Sequence, residues 1–233
     1  MNHIFPRPIW IPLVISILLL NWYAYAIKSY YLALYYIWIV IFGILFLKYR
    51  ERIVTTLRHW DVRPSVKFIS VGYAMVLIEE IMVALLHSLT EGFSLQGFGL
   101  LIFQFWAFNI FAFTGFIVGW YFLVRRFHYS TIDLFILIGI WGLISERTLT
   151  FLGTDTIASL LLILPTMTTY NFIIAPSIAS MSQMGERIIS PWKKYPFTIL
   201  LLFIFSILPV LLLTPLHTKF PGAFPPCEYI PCP

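Results

Sequence analysis

The chain has 233 residues, 60% hydrophobic and 11% charged, with a mean hydropathy of +0.89 and a formal net charge of +5. That is more apolar side chain than a water-soluble domain of this length can enclose, so the solvent is a bilayer. The basic excess gathers in alternate connections between apolar runs, a mark of membrane sidedness that argues against nucleic acid as partner.

A hydrocarbon core about 30 Å thick takes about 20 apolar residues per helix. Seven runs meet that length, at 8–27, 30–47, 67–88, 97–124, 130–152, 156–180 and 196–214. The predicted fold is all-α: a polytopic integral membrane bundle of about seven transmembrane helices. It forms one domain over residues 1–214, followed by a tail at 215–233.

The first run, with Arg7, "IPLVISILLL" and the small-residue pattern Ala24-Tyr25-Ala26, also fits a cleavable signal peptide. The aromatic residues Trp22, Tyr23 and Tyr25 crowd that cleavage site and favour a retained span. After the second run, residues 49–64 place Ile53, Val54, Leu57 and Trp60 on one helical stripe among Arg50, Arg52, Arg58 and His59. This reads as an interfacial amphipathic helix on anionic headgroups, ended near Pro64. His59 and His128 both fall among basic residues at the same interface, and no metal site is expected at either.

The third run holds the stretch "VLIEEIMVALLH". A charged side chain at a span's centre costs about 2.5–3.5 kcal/mol, whereas each Leu, Ile, Val or Phe returns about 0.3–0.6. Glu79 and Glu80 therefore need compensation. Glu80, Ala84 and His87 share a face, and Glu79 is turned by about 100° from it.

The fourth run brings Gln104, at about 10 Å from the outer end of its span, and Asn109 nearer mid-membrane. The fifth contains "LISERTLTFL", in which Glu146 lies about 9 Å deep against about 12 Å for Glu80. Arg147 beside it is the expected counter-ion, since a guanidinium binds a carboxylate through two parallel hydrogen bonds. Two adjacent acids near one arginine favour one ionised and one protonated carboxyl, a state suited to proton transfer. "LIEEIMVALL" at 77–86 also echoes "LISERTLTFL" at 143–152 and aligns Glu80 with Glu146, as a parallel repeat would.

In the sixth run Pro165 and Pro176 interrupt the backbone hydrogen bonding, and Thr166, Thr168, Thr169 and Asn171 cluster between them. Such a helix faces protein or a water-filled cavity. Thr168, Thr169 and Asn171, with Gln104 and Asn109, form a candidate substrate path. The same residues also serve as ordinary interhelical contacts. The tail "FPGAFPPCEYIPCP" is expected on the outside, where Cys227 and Cys232 can pair as a disulfide.

Counting basic residues by connection gives 12 on one side (Arg7, Lys48, Arg50, Arg52, Arg58, Arg63, Lys67, Arg125, Arg126, Arg187, Lys193 and Lys194) and 2 on the other (Lys28 and Lys219). The N-terminus is accordingly expected inside and the C-terminus outside, in the cell membrane.

The Glu79-Glu80 pair resembles that of the CAAX-processing intramembrane glutamate proteases, whose pattern is E-E-x-x-x-R with a later F-x-x-x-H. Ala84 stands at the arginine position and no F-x-x-x-H occurs. It is similar also to the P-x-E-E motif of small membrane lycopene cyclases, with Leu77 in place of the proline. The seventh run lacks the lysine a retinal Schiff base needs, and no nucleotide-binding loop, H-E-x-x-H or G-x-S-x-G is present.

Three function classes remain. An enzyme on a lipid-soluble substrate would use Glu80 as base, Glu79 or Glu146 as acid and Arg147 against developing negative charge, with His87 as a further catalytic candidate. A carrier would use the same acids as proton or cation sites. A subunit of a membrane assembly, or a homo-oligomer, would use the Glu–Arg pairing as a lock. The expected partners are the lipid bilayer, a lipid-soluble substrate or ion, and another membrane protein; no cofactor is implied.

Overall fold

The computed structural model describes residues 10–26, 33–146, 148, 156–181 and 184–224. Among them the chain forms seven α-helices and no strand: α1 (Trp10–Ala26), α2 (Ala33–His59), α3 (Pro64–Glu91), α4 (Leu95–Arg126), α5 (Thr131–Ser145), α6 (Thr156–Ser180) and α7 (Pro191–Lys219). Four of them, α3, α4, α6 and α7, are long and apolar enough to cross a membrane, and α1 and α5 are shorter apolar helices. By the length and apolarity of these helices the chain is a membrane protein. Arg7, Lys28, Arg147, Cys227 and Cys232 lie outside the described residues, and so therefore do the expected disulfide and counter-ion.

Every predicted run contains a helix, but several boundaries differ. The expected interfacial segment is no separate helix: α2 runs unbroken to His59, because residues 48–59 contain no glycine or proline to interrupt it. Pro64 does not end that segment but starts α3, where its missing N–H is no loss. The stripe itself is visible, with Ile53, Val54 and Leu57 half-buried and Arg52 and Arg58 exposed. α5 stops at Ser145, whose hydroxyl bonds back to the carbonyls of Trp141 (2.8 Å) and Gly142 (3.3 Å), a contact that competes with the backbone at a helix end. Glu146 thus caps the helix instead of lying within it. α7 begins five residues early, again with proline at its first turn.

The described residues fall into two compact units. The first, from Met1–Asp61 and Tyr129–Ser180, holds α1, α2, α5 and α6. Here α6 is central and packs on the other three; every residue from Thr168 to Ser180 is buried. α5 meets it through Gly139 and Gly142, where an added Cβ would stand 2.5 Å from the Met167 side chain and 2.6 Å from the Tyr170 ring. The far end of α6 is held by Arg58, whose Nε donates to the Ala179 carbonyl (3.4 Å). A cation there satisfies an otherwise free carbonyl at the negative end of the helix dipole.

The second unit, from Val62–His128 and Met181–Pro233, holds α3, α4 and α7. α4 is its spine and packs on both neighbours. Against α7 it presents Gly115 and Gly119, four residues apart, the small-xxx-small spacing that lets two helix backbones approach closely. A Cβ on Gly115 would stand 2.3 Å from Ser206 Cα and 2.4 Å from the Phe205 carbonyl oxygen, so the two backbones touch there. The pattern "GFIVG" at 115–119 was legible in the sequence and is the strongest packing signal that charge and hydropathy alone do not register.

Candidate functional site

α3 and α4 run antiparallel, and along their seam polar groups pair in register. Tyr73 OH meets Thr114 Oγ1, the Trp106 indole Nε1 donates to the Leu77 carbonyl (3.0 Å), and Asn109 Nδ2 donates to Glu80 Oε1 at 2.6 Å. Ala84 and Phe105 continue the seam beyond the acid as a buried apolar cluster. Glu80 is 7% and Asn109 5% exposed, which places an ionisable group inside the helix pair in contact with a neutral donor. Its position, 11 residues before the end of α3, is about 16 Å from that end. The helix rise and the hydrophobic spacing put the acid here; the carboxamide opposite makes its burial tolerable.

The other candidates on these helices separate by face. Glu79 and His87 are half-buried on α3. Gln104 lies about 140° around α4 from Asn109 and donates to the Gly222 carbonyl (3.1 Å) beyond the end of α7. That turn is further held by His217, whose Nδ1 donates to the Phe224 carbonyl (2.8 Å), and by the Phe111–Phe224 ring contact. Gln104 is therefore a clasp for the segment after α7, not a neighbour of the Glu80 carboxyl.

Glu146 belongs to the first unit, and there it has its own neutral donor. Tyr170 OH donates to Glu146 Oε1 (2.7 Å), while Ser145 Oγ lies 3.0 Å from the same phenol oxygen, within reach of its one hydroxyl proton. The close fit of Gly142 against the Tyr170 ring aims the phenol at the acid. Tyr170→Phe keeps the ring and removes both bonds. It is expected to lower stability by about 1–3 kcal/mol, the usual range for bonds of this kind, read as a fall in the thermal midpoint in detergent; an unchanged midpoint would show that these contacts contribute nothing.

On α6 the hydroxyl and amide residues divide. Asn171 Nδ2 donates to the carbonyls of Phe135 (3.1 Å) and Met167 (2.8 Å), and Thr168 Oγ1 to that of Leu164 (2.8 Å), so both are tied to backbone. The Oγ atoms of Thr166, Thr169 and Ser177 are buried and have no hydrogen-bond partner among the described residues. Within the described residues no three of His, Cys, Asp and Glu gather to hold a metal ion.

The sequence singles out Glu80 by its insertion cost and Glu146 by its depth. Sequence reasoning missed Tyr170, an aromatic among many, and assigned Asn109 to a path instead of to Glu80. The structure joins Glu80 to Asn109 in one unit and Glu146 to Tyr170 and Ser145 in the other. No family model matches the chain, and neither a curated protein nor a solved structure is similar to it.

Proposed function

We propose that the chain is a multi-pass protein of the cell membrane, N-terminus inside and C-terminus outside, that carries protons or small cations. The observation that carries this reading is the Glu80–Asn109 pair, a carboxyl withdrawn between two membrane-length helices and met by a neutral amide. An acid inside a membrane span is costly to place, and ionisable residues there commonly mark ion and proton pathways. Asn109 is a neutral donor and brings no positive charge of its own against a cation taken up at the carboxyl.

The same chemistry recurs in the first unit. α3–α4 offers an acid and a carboxamide; α5–α6 offers an acid and a phenol. The sequence echo that aligns Glu80 with Glu146 is thus matched by the kind of partner each has. The open hydroxyls of Thr166, Thr169 and Ser177 supply further oxygen ligands for water or a dehydrating cation. The test is cation-dependent flux into sealed proteoliposomes carrying the full chain, with Glu80→Gln as the diagnostic variant.

A further inference from the structure

Where α4 ends and α7 begins, the second unit carries an open groove of about 800 Å³ with two chemically distinct ends. One wall is the stripe Phe197, Leu201 and Phe205, spaced four residues apart on α7 and so on one face. The stripe is widened by aromatic rings packed directly on it: the Phe122 ring lies 5.3 Å from that of Phe205, and the Phe127 ring 5.7 Å from that of Phe197. At the mouth stand Arg126, Arg187 and Lys193, all exposed. From Lys193 to Phe205 the groove extends about 18 Å along the helix, the reach of an acyl chain.

The mouth is built, not merely charged. Gly185 N–H donates to the Val124 carbonyl (2.8 Å) and His128 N–H to the Arg187 carbonyl (3.0 Å), which ties residues 185–187 to the end of α4. A Cβ at Gly185 would meet the Arg126 carbonyl carbon at 2.2 Å, so only glycine permits that approach. Arg187 is then set over the Phe127 ring, 6.0 Å from its centroid. Ser190, the N-cap of α7, also lines the cavity and makes no side-chain capping bond, so the positive end of the helix dipole faces the same mouth. Glu186, the nearest acid in sequence, is not among the lining residues.

We propose that this cavity binds one anionic glycerophospholipid, its phosphate at Arg126, Arg187 and Lys193 and one acyl chain along Phe197, Leu201 and Phe205. Charge complementarity selects an anion and the continuous apolar wall selects a chain attached to it; guanidinium forks suit phosphate oxygens. The helices that form the groove are themselves membrane-length, so the acyl end lies along bilayer. On the sidedness proposed above the mouth faces the inner leaflet, where anionic lipids attract clustered basic residues. The inference rests on the membrane reading but not on ion transport.

The experiment is native mass spectrometry of the full chain released from neutral detergent, titrated with phosphatidylglycerol or phosphatidylcholine of the same acyl chains. The wild type is expected to retain one phosphatidylglycerol with about tenfold preference. Arg126→Gln/Arg187→Gln/Lys193→Gln should bring the preference near parity, while Lys48→Gln/Arg52→Gln/Arg63→Gln, which removes as much charge elsewhere, should keep it. Should the first triple variant not fold, Lys193→Gln and the groove-filling Leu201→Trp are read singly, each expected to weaken binding. Equal retention of the two lipids, equal loss in the control variant, or displacement by excess inorganic phosphate would overturn the assignment. A chain recovered in bilayers that shows no preference overturns this site alone, and one recovered in the soluble fraction overturns the membrane reading as well.

Discussion

Glu80→Gln is expected to lower cation-dependent flux into proteoliposomes by about 100-fold or more, the scale on which loss of a positioned proton-transferring group is felt. The substitution is close to isosteric. Its carbonyl oxygen can accept from Asn109 Nδ2 as Glu80 Oε1 does at 2.6 Å, so the α3–α4 seam keeps its register and the protein its fold. What disappears is the capacity to take a charge. Flux equal to wild type in vesicles of equal protein content would remove Glu80 from the mechanism and the carrier reading with it. Asn109→Leu gives the complementary result. Glu80 keeps its carboxyl but loses one hydrogen bond inside the helix pair, with an expected loss of about 1.5–3 kcal/mol in stability. The double variant Glu80→Leu/Asn109→Leu should recover much of that loss, because a buried polar pair replaced by apolar side chains of similar volume is often neutral or stabilising. Stable but inactive protein from the double variant would show that the pair is kept for function.

Although Glu146 falls past the end of α5 and not within it, the position of Glu80 along α3 could be read from the sequence, because rise follows residue count along a helix. Direction around the axis could not. Gln104 was placed near the depth of Glu80 and Asn109 nearer mid-membrane, yet the first reaches Gly222 beyond α7 and the second Glu80 on α3, since five residues of helix turn the side chain to another face. Asn171 shows the same limit: its depth suggested a path, and its amide instead binds the carbonyls of Phe135 and Met167. The seven runs were legible because hydropathy integrates over about 20 residues. The ends of α2 and α5 were not, because a boundary depends on single contacts such as the Ser145 hydroxyl. The basic residues Arg126, Arg187 and Lys193 carried a sidedness signal, and only the folding of residues 185–187 against α4 turns them into the rim of a cavity.

Gly115→Ala should be the most destabilising single methyl addition on α4, at about 3 kcal/mol, the upper part of the range for overpacking. The reason is the identity of what the new Cβ meets. At Gly115 it is backbone, Ser206 Cα at 2.3 Å and the Phe205 carbonyl at 2.4 Å, and neither can rotate away. The helices must separate, losing the contacts on both sides of the crossing. At Gly119 the nearest atom is Leu202 Cδ2 at 2.9 Å, the end of a flexible side chain, so Gly119→Ala should cost about 1 kcal/mol. At Gly99 nothing lies within 4 Å, and alanine there should stabilise by up to about 1 kcal/mol through helix propensity. Reversible unfolding in mixed micelles, followed by circular dichroism, measures the series in one protein background. Equal effects at the three positions would mean that α4 and α7 do not cross at Gly115. The ordered series also bears on the lipid cavity, whose apolar wall is carried by α7: in Gly115→Ala, spreading the helices should weaken retention of phosphatidylglycerol although every basic residue at the mouth is intact.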